Sequence, residues 1–183
     1  MSSPVRVDAN IWFPGITKRT KDCFFNSICL LRPQSRGAVT LADANPRSAP
    51  RIALNLLQHP DDWERLKKGL AISRRIFAPE PMVQYLVEET FPGQHVDNDA
   101  ALDAMKAELA GVVHHPGGSC AMGTGPEAVV DPQLRVRGVD GLRIADASIM
   151  PRLVGANTNA AAVMIGEKAA DLVLGRTAPE YAA

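Results

Sequence analysis

Apolar and polar positions change rhythm several times along this chain. Residues 5–12 read as extended. Residues 24–31 begin aromatic, are mostly apolar in their second half and are soon followed by Pro33, a pattern that predicts a strand. The turn-rich stretch Arg32-Pro33-Gln34-Ser35-Arg36-Gly37 then precedes a second extended run at 38–41, so the two runs form a candidate hairpin. A short third strand is expected at 51–54. Helical spacing follows. Pro60 suits a first helical position, with Asp61, Asp62 and Glu64 in the turn where the helix dipole favours negative charge. Trp63, Leu66, Leu70 and then Ile76 or Phe77 make its apolar stripe. Further helices are predicted at 80–89, ending before Pro92-Gly93, and from about Asp99 to Leu109. Residues 129–132, 134–136 and 142–145 are short and extended, with a turn from Gly138 to Gly141. An Ala-rich helix is expected from Asn157 to Leu174, closed by Gly175 as a C-terminal cap.

Strands, then a helix cluster, then a strand–loop–helix end make no βαβ series. The order predicts an α+β fold, an antiparallel sheet with helices packed on one side. At 183 residues and 46% hydrophobic content the chain has material for one core, or one and part of another. Twenty basic residues balance 20 acidic ones, so there is no electrostatic footprint for nucleic acid. No apolar run approaches the roughly 18 residues that span a bilayer, and no secretory leader is visible. Cys23, Cys29 and Cys120 are an odd set without metal-type spacing, which fits reduced thiols and a cytoplasmic protein.

The chemistry concentrates in two segments. The first is His114-His115-Pro116-Gly117-Gly118-Ser119-Cys120-Ala121-Met122-Gly123, in which glycines let backbone approach a ligand closely. Three readings fit His115. It is a loop histidine satisfied by a backbone carbonyl, or a metal ligand with His114 and Cys120, or a general base that accepts an alcohol proton. The second segment, Gly155-Ala156-Asn157-Thr158-Asn159, opens the last helix. Asn157 reads as a plain N-cap, as an amide donor to a developing alkoxide, or as both.

Several ordered stretches resemble the glucose–methanol–choline (GMC) family of flavin oxidoreductases, in its choline dehydrogenase-like and alcohol dehydrogenase-like branches. The histidine segment is similar to the family's His-Pro-Val-Gly-Thr-Cys-x-Met-Gly. Val130-Asp131-Pro132-Gln133-Leu134-Arg135-Val136-Arg137-Gly138 resembles its Val-Asp-x-x-Leu-x-Val-x-Gly stretch. Residues 141–151 resemble Gly-Leu-Arg-Val-x-Asp-Ala-Ser-x-Met-Pro, and 156–171 resemble Gly-Asn-Thr-Asn-Ala-Pro-x-x-Met-Ile-x-Glu-Lys-Ala-Ala-Asp. The turn at Arg32–Gly37 is similar to Arg-Pro-x-Ser-Arg-Gly. The resemblance runs from about Phe24 to Leu174. It implies FAD as cofactor, a small-molecule alcohol as substrate, His115 as catalytic base and Asn157 as its partner. It also implies that Asp146, Ala147, Asn159 and Ala160 lie where the chain touches the flavin. Among the departures, Gly117 stands where the family has valine and is expected to loosen the loop. Ser119 stands for threonine, Ala156 for glycine and Ala161 for proline.

The family's Gly-x-Gly-x-x-Gly fingerprint for dinucleotides is not found; Gly123-Thr124-Gly125-Pro126 is the nearest spacing. The chain therefore resembles the C-terminal portion of the family. Residues 1–128 are expected to form a substrate-binding domain ending in the histidine loop 114–123. Residues 129–176 are expected to return to an otherwise absent FAD-binding domain as a C-terminal strand and helix, followed by a tail at 177–183. The function implied is FAD-dependent oxidation of an alcohol to an aldehyde or ketone. The alternative is a truncated or split product, inactive alone, that complements a separately encoded N-terminal FAD-binding portion. Val154, Val163, Met164 and Leu172 would then be under-covered, and the isolated chain is expected to have limited stability. A cooperative melt at high temperature, followed by circular dichroism on the chain alone, would contradict that expectation.

Overall fold

Helix α1 (Pro60–Phe77) begins where proline and charge place it, with Pro60 in its first turn and His59 as N-cap. The His59 ring accepts a hydrogen bond from the Asp61 amide at 3.3 Å. In this computed structural model residues 26–176 are described; the expected extended stretch at 5–12, Phe24, Phe25, Cys23 and the tail at 177–183 lie outside them. The fold is α+β. Among the described residues it contains one two-stranded antiparallel sheet, β1 (Ala38–Thr40) with β2 (Arg51–Ala53), and the helices α1, α2 (Asp99–Ala104), α3 (Lys106–Leu109) and α4 (Asn159–Leu174). The chain divides into two compact units, one of residues up to Gly37 with Leu54–Val113, the other of Ala38–Ala53 with everything from His114 onward. The histidine loop thus belongs with the C-terminal segment, ahead of the expected boundary at 128.

In the first unit the apolar run at 26–31 forms no strand. It lies instead along α1, antiparallel to it. The Asn26 amide donates to the Ser73 hydroxyl at 2.7 Å, Ile28 packs where Gly69 has no side chain, and Arg65 donates to the Arg32 carbonyl at 3.0 Å. A Cβ on Gly69 would collide with Ile28. The partner of the 38–40 strand is therefore 51–53, in the register Ala38–Ala53, Val39–Ile52 and Thr40–Arg51.

The Arg32–Gly37 turn is clamped by one carboxylate. Asp62, which is only 1% exposed, accepts from the Gln34 amide at 2.8 Å, the Ser35 amide at 2.7 Å and the Ser35 hydroxyl at 2.6 Å. Burial pushes its carboxyl up, but these hydrogen bonds and nearby His59 outweigh burial and hold it below its ordinary value. The core of this unit is Leu57, Trp63, Val96 and Leu102, with Leu66, Leu70, Met105 and Leu109 packed against it. The apolar stripe of α1 thus leaves Ile76 out, at 57% exposure.

The helix expected at 80–89 reduces to a single 3-10 turn, Val83–Tyr85. Pro79 and Pro81 supply no amide hydrogen and push the residues before them towards extended backbone. The following stretch is held by Arg74, which pairs with Glu89 at 2.9 and 2.7 Å and donates to the carbonyls of Val96 at 2.8 Å and Gly93 at 3.2 Å. The helix expected from Asp99 to Leu109 is two pieces broken at Met105, whose amide turns back to Leu102 at 3.1 Å. Side chains tether both sides of that break. Asp103 accepts from the Trp63 indole, Lys67 reaches Asp99 and Asp103, and Lys106 sits over the Trp63 ring.

The clamp gives a test. Asp62→Asn should lower the stability of the protein by about 1–3 kcal/mol, read as a shift in urea midpoint, because buried donors lose a charged acceptor. The folded carboxyl is depressed below its ordinary 3.8, so its contribution is complete above that pH and is lost as pH falls through the lower folded value. The variant should therefore show a flatter loss of stability on acidification below about pH 4.

Candidate active site

The second unit is built around Val130, Leu134, Ile149, Met150, Ile165 and Ala169. Helix α4 contributes its Ala161, Ile165, Ala169 and Leu172 face, the spacing of one helical stripe. It ends at Gly175, whose φ of 67° is the left-handed conformation of a C-terminal glycine. The short extended runs at 129–132, 134–136 and 142–145 join by isolated bridges, Val130 with Val136 and Arg135 with Arg143, and form no continuous strand. Asp131 explains why this segment turns so tightly. Its carboxylate accepts from the Gln133 and Arg135 amides, each at 2.9 Å, and pairs with the Arg135 side chain at 2.7 Å. Arg137 then holds the loop beyond the histidine segment through the carbonyls of Gly123 at 2.9 Å and Gly125 at 2.8 Å.

The histidine loop is fastened to a 3-10 turn at Ala147–Ile149. The amides of Gly118, Cys120 and Met122 donate to the carbonyls of Ala147, Ser148 and Ile149 at 3.2, 2.9 and 2.8 Å. Asp146 caps that turn by accepting from the Ser148 amide at 2.7 Å. The hydroxyl and amide of Ser148 hold its carboxyl below the ordinary value against a small opposing effect of burial. Ala147 packs its methyl against the core cluster while its carbonyl faces the loop. So two residues expected beside a flavin also hold the loop that carries His115.

His114 has a φ of 60°, uncommon for a residue with a Cβ. Of the two adjacent imidazoles, His114 is exposed and His115 half-buried. His115 Nδ1 lies 2.9 Å from Thr158 Oγ1, and the Thr158 amide points at the same nitrogen from 3.4 Å. The histidine loop and the start of α4 are thereby joined directly. Asn157, Asn159 and Ala160 are exposed around Thr158. The N-cap of α4 is Thr158 rather than the expected Asn157, and no side chain caps the helix. Among the described residues no group of three or more His, Cys, Asp or Glu side chains is placed to hold a metal ion, so His114, His115 and Cys120 form no such set. Cys29 and Cys120 are free thiols.

Gly117 does not loosen this loop. A Cβ there would lie 2.8 Å from the Ala147 carbonyl oxygen and 2.9 Å from Leu153 Cδ2, so the glycine is what admits the close approach. Gly118, with a φ of 86°, needs its freedom for the turn itself. Of the four apolar residues expected to be under-covered, Val154 and Leu172 pack on the core, whereas Val163 and Met164 are 58% and 59% exposed. Gly117→Val should destabilise the protein by about 1–3 kcal/mol through overpacking. Its Gly118 amide should lose exchange protection, measured by hydrogen–deuterium exchange.

The chain is similar to known proteins over most of its length. The family model described as GMC oxidoreductase matches residues 33–166. The oxygen-dependent choline dehydrogenase of Brucella ovis is 45% identical over 149 residues, 80% of this chain and 27% of that protein. That of Sinorhizobium fredii is 45% identical over 145 residues, 78% of this chain and 26% of that protein. Among solved structures, pyridoxine 4-oxidase from Mesorbium loti aligns with a TM-score of 0.74 at 33% identity, covering 81% of this chain and 29% of that one. A fungal aryl-alcohol oxidase aligns with a TM-score of 0.68 at 35% identity, covering 80% and 24%. The chain thus spans about a quarter of the length of the choline dehydrogenases it matches. With most of its length matched in register, the chain belongs to the GMC oxidoreductase family, as its C-terminal portion.

Proposed function

We propose that this chain supplies the proton-handling half of an FAD-dependent alcohol oxidation, in which a CH–OH group becomes an aldehyde or ketone. The observation that carries the reading is the join between the half-buried His115 and the first residues of α4, made within one unit. FAD is the cofactor, and it supplies the two-electron acceptor for the hydride that leaves the carbinol carbon. The residues present fit such a group. Helix α4 has no acidic residue in its first turn and no side-chain cap, so its amide hydrogens and positive end remain available to an electron-rich ring edge. Asn159 and Ala160 on that turn would hold the group, with Asp146 and Ala147 on the opposite segment.

His115 takes the hydroxyl proton of the substrate. Asn157, exposed at the start of α4, donates its side-chain amide to the oxygen as negative charge grows on it. The helix end adds a favourable partial charge at the same place. The substrate-binding domain is residues 1–128, and the protein works in the cytoplasm. Among the described residues no helix is long and apolar enough to cross a membrane.

A second reading, a subunit that lends this site to a separately encoded FAD-binding portion, is favoured by one feature. Val163, Met164, Val173 and Leu174 of α4 are all more than half exposed. Visible flavin absorbance in the purified chain would speak against it.

The first reading is tested by substitution in the complete protein. His115→Ala should lower kcat by about 10²–10⁴-fold. Asn157→Ala should lower it by about 10²–10³-fold, as removal of an oxyanion donor does. Unchanged turnover of His115→Ala in a steady-state assay with an alcohol substrate would reject the assignment.

A further inference from the structure

We propose that Thr158 is a proton relay between the substrate and His115: its hydroxyl receives the proton of the substrate O–H group and passes its own to Nδ1 of the imidazole. The proposal rests on the reading of His115 as the base and deepens it, by naming the nitrogen that takes the proton and the route by which the proton arrives.

The backbone of Thr158 decides which nitrogen that is. Its N–H donates to His115 Nδ1 at 3.4 Å, and a backbone N–H can only donate. Nδ1 is therefore the acceptor nitrogen of the neutral ring, and the ring's hydrogen is on Nε2. A nitrogen that already carries hydrogen takes no second one, so Nε2 is not the basic atom. The Thr158 hydroxyl, 2.9 Å from the same Nδ1, faces a lone pair rather than a hydrogen, and so it donates as well. Amide and hydroxyl of one residue converge on one nitrogen, and the hydroxyl holds the shorter contact. Of these two donors, only the hydroxyl has lone pairs with which to take a new hydrogen as it gives one up.

The accepting side of that hydroxyl is open. Thr158 stands at the N-cap of α4, where a threonine oxygen ordinarily accepts from an amide of the first turn. Here its backbone is helical, with φ −78° and ψ −10°, and its side chain makes no cap. The oxygen lone pairs are not spent on the helix and can accept from a substrate hydroxyl. Asn157, the preceding residue, is exposed, so an oxygen held by its side-chain amide would lie beside Thr158. Threonine is stiff at χ1, so Oγ1 is presented in one place rather than sampled. In the reaction the substrate O–H bond breaks as a new O–H bond forms on Oγ1, and the former Oγ1–H bond breaks as an Nδ1–H bond forms. The substrate is left as alkoxide and the ring as imidazolium, with Thr158 neutral before and after. The hydride from the carbinol carbon goes to FAD. Nδ1–H now donates to Oγ1 and the hydrogen on Oγ1 faces the alkoxide, so both new hydrogen bonds are charge-assisted. The Thr158 amide gives up only a long contact when Nδ1 gains its hydrogen.

The test pairs Thr158→Val, which removes the hydroxyl and keeps the β-branched shape, with Thr158→Ser, which keeps the hydroxyl. Both are made in the complete FAD-bound protein. Nitrogen-15 NMR of labelled histidine reads the neutral tautomer without reference to activity, and in the wild type the hydrogen is expected on Nε2 and the lone pair on Nδ1. Thr158→Val should lower kcat by about 10²–10⁴-fold, the scale of losing the base itself, with KM moved far less, and Thr158→Ser should restore it. Rates in mixtures of light and heavy water count the protons in flight. The wild type and Thr158→Ser should depend on the deuterium fraction along a curve, because two protons move, whereas a residue that only positions the ring gives a straight line. A wild-type hydrogen on Nδ1 overturns the proposal, as does a straight wild-type line, sloped or flat, or an unchanged kcat in Thr158→Val. If Thr158→Val does not fold, the wild-type tautomer and the wild-type line decide. A normal Thr158→Val alongside an impaired His115→Ala sinks this inference alone, whereas normal turnover in His115→Ala sinks the base reading itself.

Discussion

Three backbone hydrogen bonds hold the candidate site together. The amides of Gly118, Cys120 and Met122 are spent on the carbonyls of Ala147, Ser148 and Ile149. The segment bearing His115 would otherwise be a glycine-rich loop with many conformations to lose. Fastened this way, it is tied to a turn whose Ile149, with the adjoining Met150, sits in the same core as Ile165 and Ala169 of α4. Asp146 caps that turn, Gly117 admits the Ala147 carbonyl, and α4 packs behind it. The loop that bears the imidazole is thus positioned by backbone and core, and the ring itself meets Thr158 at the start of α4.

That arrangement gives a structural reason for the order of the chain's small residues. Gly117 and Gly118 are required for different reasons, the first by a close approach and the second by a left-handed backbone. Arg137 and Asp131 look like surface charges in the sequence, yet each closes a loop through backbone groups. Their hydrogen bonds are mostly to the main chain, where a charged partner stabilises more than a neutral one. Asp62 plays the corresponding part in the first unit.

Elements with strong local signals were legible in the sequence. Helix α1 starts at Pro60, and α4 ends at Gly175, because proline and glycine impose those ends whatever the surroundings. The family membership was legible too, since the motifs that reveal it are loops with fixed backbone demands. Elements decided by non-local partners were not. The apolar run at 26–31 has strand character, but its chosen neighbour is a helix with a glycine at the crossing, which periodicity does not encode. The 80–89 segment has helical spacing, and its prolines override it. At the site, His115 and Asn157 were visible as residue types suited to acid–base chemistry. Thr158 was missed because it passes for an ordinary N-cap neighbour, and only its distance from His115 reveals it. Asp146 and Ala147 were singled out by resemblance, and their part in holding the loop emerges only from hydrogen bonds.

The start of α4 shows what this geometry costs. A satisfied N-cap is worth about 1 kcal/mol to a helix, and this helix forgoes it. Nor does any aspartate or glutamate stand in its first turn to complement the dipole. A helix selected for stability alone would have both. Its stability comes instead from the buried Ile165 and Ala169 stripe, well away from the N-terminus. The first turn is thereby freed, so that its hydroxyl can serve an imidazole and its amides can face an electron-rich ligand. Stabilising residues placed there, such as an acidic cap, would compete for those same amides. The small, uncharged residues from Ala160 to Ala162 are consistent with that constraint: they favour helix without adding a group that would fill or discharge the end of it.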